Sequence, residues 1–208
     1  MYTRENPSPR YAELIGVYRQ AHVEGIPHCG NAPEQAFPGK VRVQHVSRIS
    51  FLTKLYGVES LLDYGSGKGD QYRTEPGGTD LKTVYGVDEI VCYDPGYQPF
   101  SQLPDRRFGG VLCIDVMEHC PKDGLPWIVD EIFGYAEHFV YMTVACFSAS
   151  KTLPNGENAH CTVEDPDWWR ALLSETGARY PSVTAEVVFL ELDFEREIIT
   201  EAVSRFND

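Results

Sequence analysis

The residues best equipped for chemistry stand in one run, Leu61-Leu62-Asp63-Tyr64-Gly65-Ser66-Gly67-Lys68-Gly69. Glycines at the end of a buried strand let the backbone turn sharply and approach a ligand closely, while a following helix presents free N–H groups. The spacing is G-x-G-x-G with an acid two positions before the first glycine. This separates the run from the dinucleotide pattern G-x-G-x-x-G and from the phosphate loop that ends in Lys-Ser/Thr. A cofactor without a pyrophosphate suits it, and the plain alternative is a tight strand-to-helix turn that holds no ligand. A second acid is expected to end the next strand and accept hydrogen bonds from both ribose hydroxyls, about 20 residues on in dinucleotide folds. Asp94, in Val91-Cys92-Tyr93-Asp94-Pro95, is preferred, because Ile90 to Tyr93 is the better strand and Pro95 ends it; Asp88 is the rival. The long gap between Asp63 and Asp94 is absorbed by the segment Thr74 to Asp80, whose Pro76-Gly77-Gly78 reads as an insertion.

The pattern D-x-G-x-G-x-G after an apolar strand resembles motif I of class I S-adenosylmethionine-dependent methyltransferases. The resemblance implies that Asp63 lies near the amino group of the methionine moiety. It implies also that Gly65, Ser66, Gly67, Lys68 and Gly69 pass under the methionine and ribose, with Asp94 on the ribose. The run Val111-Leu112-Cys113-Ile114-Asp115-Val116-Met117-Glu118-His119 is similar to motif IV of that family, in which the strand end carries an acid and the next residues curl beside the transferable methyl. Asp115 and Val116 are thereby implied on the cofactor side, and Glu118 and His119 on the acceptor side. The loop Ser148 to Thr162, with Phe37-Pro38-Gly39 and Trp168-Trp169, resembles a little-characterised group of bacterial and phage methyltransferase-like proteins. One departure stands out. Gly96, Pro99 and Pro104 interrupt the short stretch from Pro95 to Val111, where the family fits a helix, a strand and another helix, so that region must be shortened or absent.

Methyl transfer proceeds by in-line attack of a nucleophile on the sulfonium carbon, so the protein must align the acceptor and, for a hydroxyl, remove its proton. His160 and His119 are the candidate bases, since imidazole titrates near working pH. Phe37, Glu118, Lys151 and Asn158 are the candidate substrate contacts; a polar loop with Pro154-Asn155-Gly156 turn chemistry beyond a strand's carboxyl end is where an open α/β sheet places its ligand. The bland alternatives are loop histidines that only hydrogen-bond their surroundings and a solvated Glu118-His119 pair. Three adjacent pairs, His28-Cys29, His119-Cys120 and His160-Cys161, raise a structural zinc as an alternative. Sequence neighbours rarely reach one ion, and no C-x-x-C or H-x-x-x-H spacing occurs, so no metal is expected. An inert module that binds S-adenosylmethionine without chemistry, and a nucleotide-binding enzyme of another reaction type on the same sheet, are the other readings.

The elements that must position these groups follow from periodicity. Apolar residues at helical spacing predict helices over Tyr11 to Ala21, over Val41 to Tyr56 with Val46, Ile49, Leu52 and Leu55 on one side, and from Leu125 to Ala136 with Asp123 as cap and Pro126 in the first turn. A further helix opens at Asp165-Pro166 and closes at Gly177. Strands are predicted at Leu61 to Tyr64, Ile90 to Tyr93, Gly110 to Ile114 and Phe139 to Cys146. Ser182 to Val203 reads as one or two closing strands, with Glu195 to Val203 equally compatible with a helix. The alternation predicts a doubly wound, Rossmann-like, mostly parallel α/β sheet with a shortened third-strand region and a helical N-terminal cap. The 208 residues suit one domain, 1–208, with a helix and lid segment over 1–40 and the α/β core over 41–208. A formal net charge of -13 and the lack of a Lys/Arg cluster argue against nucleic acid and for a small-molecule partner. No apolar run reaches membrane-span length and Met1 to Arg10 is polar, unlike a secretion signal, so a cytoplasmic protein with free thiols is expected.

Overall fold

The computed structural model describes residues 2–40, 43–73, 80–193 and 198–207. Among them, β1 (Ser60–Tyr64), β2 (Glu89–Tyr93), β3 (Phe108–Ile114), β4 (Ala136–Ala145), β5 (Thr184–Asp193) and β6 (Ile198–Phe206) form one sheet in the order β2-β1-β3-β4-β5-β6. The first five strands are parallel and β6 returns antiparallel to β5. Helices α1 (Pro9–Glu24), α2 (Val43–Tyr56), α3 (Leu81–Tyr85), α4 (Leu125–Tyr135) and α5 (Pro166–Gly177) flank it. The doubly wound α/β expectation holds.

Successive side chains on a strand point to opposite faces, and both faces here are covered. Leu62, Val111, Cys113, Val140, Met142, Val187 and Phe189 pack with Ile128, Val129 and Phe133 of α4 and Trp169 and Leu173 of α5. Their neighbours Leu61, Leu112, Phe139, Tyr141, Val188 and Leu190 pack with Ile49 and Leu52 of α2 and Leu81 and Tyr85 of α3. Two-sided burial is why these strands read as continuous apolar runs.

Several local expectations are corrected. Leu55 is exposed, because the buried stripe of α2 runs through His45, Ile49, Leu52 and Thr53 instead. Asp123 does not cap α4; Gly124 occupies that position, and Asp123 accepts a hydrogen bond from the Ser8 hydroxyl at 3.0 Å. Ala136 is the first residue of β4, which follows α4 without a loop. β6 is a strand, so the helical alternative for Glu195 to Val203 is set aside for its described residues 198–203. The predicted insertion, Thr74 to Asp80, lies outside the described residues except for Asp80, which caps α3, and the start of the second helix at 41–42 lies outside them too. Between β2 and β3 only a single 3-10 turn, Gln98–Phe100, is found, which leaves β2 at the sheet edge as the proline-rich spacing requires. No helix among the described residues is long and apolar enough to cross a membrane.

The N-terminal segment is bolted to the core by a cation. Arg4 donates to Glu131 Oε2 at 2.7 Å, to the Tyr93 hydroxyl at 2.8 Å and to the Tyr64 hydroxyl at 2.9 Å, and its guanidinium lies 4.9 Å from the Trp127 ring centroid. Tyr64 in turn donates to Glu131 Oε1 at 2.6 Å. This cluster joins residue 4 to the ends of β1 and β2 and to α4, just upstream of Ser8, whose side chain caps α1 on the Tyr11 N–H. Replacing Arg4 with Ala strips Glu131 of its cation and should lower the unfolding free energy by roughly 1.5 to 3 kcal/mol, the worth of hydrogen bonds to a charged group. Urea unfolding measures it, and a loss below about 0.5 kcal/mol, the level of an ordinary surface change, would show that the segment is not held by this contact.

Candidate active site

A cavity of about 520 Å³ opens at the carboxyl ends of β1 to β4, beside the point where the chain steps from β1 to β2 on one side and to β3 on the other. That switch point is where open α/β sheets bind ligands, and the volume falls in the range of small-molecule sites, about 300 to 1,000 Å³. One wall carries Gly65, Gly67, Asp94 and Val116. The other carries Tyr18, Phe37, Asp115, His119, Lys151 and His160.

The glycine turn is needed, though partly for a reason the sequence does not announce. Gly65 has φ +85°, and a Cβ there would lie 2.4 Å from a methyl of Val116, so only glycine lets the turn after β1 abut the turn after β3. The second close approach is internal. The carbonyls of Phe37, Pro38 and Gly39 accept from the N–H groups of Lys68 at 3.0 Å, Asp70 at 2.9 Å and Gln71 at 3.3 Å. A Cβ on Gly67 would sit 2.4 Å from the Phe37 oxygen, and one on Gly39 would sit 1.9 Å from the Ser66 oxygen. The N–H groups read as free for a ligand are therefore spent on this seam. The element after the glycines is a 3-10 turn, Asp70–Tyr72, rather than a helix.

The acids divide by position. Asp94 follows β2 on the cavity wall; its Oδ2 accepts from Gly67 N at 2.8 Å, and its Oδ1 from Gly96 N at 2.8 Å and Tyr97 N at 3.1 Å. A carboxylate offers about four acceptor positions, so one is left, on Oδ2, where both ribose hydroxyls were expected. Burial raises its pKa against the opposing pull of these N–H groups. Asp88 is exposed and precedes β2, at the far end of the strand from the cavity. Asp63 is buried behind the wall rather than on it, its Oδ2 accepting from Gln71 Nε2 at 3.0 Å and the Tyr72 hydroxyl at 2.9 Å, and burial pushes its pKa up to about 6. Ser66 and Gly69 also stay off the cavity, Gly69 lying against Cys92 and Phe100. Lys68 points away toward α1, its Nζ 3.0 Å from His22 Nδ1 and donating to the Ala36 oxygen at 3.0 Å.

Of the predicted acceptor-side residues, His119, His160, Phe37 and Lys151 meet at the cavity. His119 Nδ1 lies 2.8 Å from the Ala159 oxygen and 2.9 Å from the Tyr18 hydroxyl, and His160 Nδ1 lies 2.5 Å from the Phe147 oxygen. A carbonyl only accepts, so each ring carries a proton on Nδ1, and the neutral form of either ring has its lone pair on Nε2. Burial pulls the pKa of His119 down to about 4, which keeps it neutral. Asp115 stands between the ends of β3 and β4 at φ +60°, held there by its N–H donating to the Thr143 hydroxyl at 2.9 Å. Two residues do not reach the cavity. Glu118 is fully buried, its Oε1 accepting from Ala145 N at 2.8 Å, and burial with the neighbouring Asp115 carboxylate raises its pKa well above the usual range. Asn158 clasps its own loop, accepting from Ala149 N and His160 N, each at 3.0 Å, and donating to the Ala149 oxygen at 2.9 Å.

Sequence reasoning missed Tyr18, which also lines the cavity. Tyr18 reads as one of several apolar positions of α1, and only the packing of α1 on the loop around Leu153 and Ala159 brings its hydroxyl to His119. No protein-family model, curated protein or solved structure matches this chain.

The seam gives a direct test. Gly30 and Gly39 both have positive φ, so Ala costs each roughly 1 to 2 kcal/mol, but a Cβ on Gly30 meets open space. Gly39→Ala should destabilise the protein by about 2 kcal/mol more than Gly30→Ala, within the usual range for forced overpacking. Equal losses in urea unfolding would mean that residues 37–39 do not press on the glycine turn.

Proposed function

We propose that this protein is an S-adenosylmethionine-dependent methyltransferase acting on a small, hydroxylated molecule. The reading is carried by one observation: a single cavity joins the turns after β1, β2 and β3 to a cluster of imidazole and carboxylate groups. The cofactor lies along Gly65, Gly67, Asp94 and Val116, with a ribose hydroxyl on the remaining acceptor position of Asp94. Asp63, Ser66, Lys68 and Gly69 shape this wall from behind. The acceptor enters between Phe37, Lys151 and the two histidines, and the cofactor's methyl points at them. His160, with His119 beside it, presents Nε2 to the acceptor hydroxyl; the hydroxyl oxygen attacks the methyl carbon as its proton leaves, and the carbon–sulfur bond breaks with its electron pair returning to sulfur. The seam of residues 37–39 closes the cavity toward the N-terminal side and excludes water. A negative net charge and a cavity of this size fit a small acceptor better than a nucleic acid.

Calorimetry with S-adenosylhomocysteine tests the cofactor side. The wild type should bind with a dissociation constant on the order of 1 μM, about 8 kcal/mol. Asp94→Ala should weaken this by about 1.5 to 3 kcal/mol, Asp88→Ala should leave it unchanged, and His160→Ala should leave it nearly so. Absent binding by the wild type, or tight binding of NAD instead, would defeat the reading, and a larger effect from Asp88 would relocate the ribose.

A further inference from the structure

Among the described residues, one group of side chains converges as metal ligands do: Asp115, His119 and His160 each offer a ligand atom within 4.8 Å of the other two. Three features separate this trio from a chance cluster. Both imidazoles are fixed through Nδ1 to backbone carbonyls, of Ala159 and Phe147, which leaves Nε2 as the lone pair on each ring. That outer bond is the arrangement by which proteins set the tautomer and orientation of a ligating histidine. Asp115, the third ligand, is held at φ +60°, a left-handed conformation uncommon outside glycine, by its N–H bond to Thr143. The three come from two distant stretches of chain, the turn after β3 and the loop after β4, so the fold alone assembles them.

We propose that Asp115, His119 and His160 bind one divalent first-row transition metal ion, such as zinc, at the acceptor end of the cavity. Two imidazoles and one carboxylate suit such an ion and discriminate against magnesium and calcium, which take oxygen ligands. Ligand atoms about 2.1 Å from a tetrahedral ion stand roughly 3.4 Å apart, so small side-chain rotations close the trio onto it. Three protein ligands leave a coordination position open toward the cavity, the arrangement of a catalytic rather than a structural site. The one remaining His-Cys pair of the sequence, His28-Cys29, does not converge in this way; His28 Nε2 lies 2.8 Å from the Thr152 hydroxyl on the surface.

The site itself stands apart from the methyltransfer reading; its role rests on that reading. With both Nε2 lone pairs on the cation, the histidines would hold the ion in place of acting as base: the acceptor hydroxyl would fill the open position, the cation would make its proton more acidic, and the proton would leave to solvent on the side the seam does not close. The oxygen then attacks the methyl carbon as the carbon–sulfur bond breaks toward sulfur.

Cobalt(II) titration of chelator-treated protein, followed by its visible absorption, tests the site without cofactor present. The wild type should bind one equivalent, which zinc displaces, and His119→Ala, His160→Ala and Asp115→Gly should each lose about 100-fold or more in affinity, as a three-ligand site requires. Asp115→Gly suits the left-handed backbone and should melt no lower than the wild type, which removes misfolding as a cause. Failure of the wild type to bind cobalt or zinc, or binding that survives any one of the three substitutions, overturns the site. S-adenosylhomocysteine calorimetry on the same preparations reports separately on the cofactor reading, so either can fail alone.

Discussion

The structure depends on a backbone seam: three carbonyls of residues 37–39 meet the N–H groups that follow the glycine turn. Without Gly39 and Gly67 the two chains cannot approach, and without the seam the N–H groups of Lys68, Asp70 and Gln71 lose their partners. The seam fixes Phe37, itself at φ +48°, with its ring 5.1 Å from that of Tyr18 and 6.3 Å from that of His119. Tyr18 then holds His119, and the α1 side chain Leu14 packs on Leu153 and Ala159 in the loop that carries His160. A constraint between two loops thus propagates to the side of the cavity where chemistry would occur.

Asp94 performs the same service on the other wall. Its carboxylate gathers N–H groups from the glycine turn and from the segment after β2, tying together two loops that share no covalent neighbour. A group with most of its acceptor positions filled by the protein is rigid, and rigidity favours a ligand that uses the position left over. The shortened region between β2 and β3 makes this tie more important, because one 3-10 turn, Gln98–Phe100, stands where a longer crossover would brace the edge.

Much of the fold was legible because parallel strands buried on both faces write continuous apolar runs, and because Pro126 and Asp165 mark helix starts where the rules place them. The boundaries that slipped have local causes. Ala136 continues the helical spacing of α4 yet belongs to β4, and periodicity cannot register a helix that runs into a strand without a turn. The site was legible in its residue types and less so in their roles. The acid-plus-glycine run pointed to the right place, but Lys68, Ser66 and Asp63 serve the wall from behind, because a motif says which residues are near and not which way they face. Asp115 was read with the cofactor, while its left-handed backbone, set by Thr143 on the neighbouring strand, brings it to the two histidines. No sequence pattern carries that contact, since Asp115 and Thr143 meet only through the pairing of β3 with β4.

The central claim is that one cavity holds a cofactor on its glycine wall and an acceptor against the Asp115, His119 and His160 trio. A crystal structure grown with S-adenosylhomocysteine and zinc, with data collected at the zinc absorption edge, tests both halves at once. The account predicts the ribose beside Asp94, the sulfur facing the trio, an anomalous peak between the three side chains, and residues 37–39 still seated on the glycine turn. A cofactor bound elsewhere, or one that enters only by displacing residues 37–39 from the turn, would contradict it.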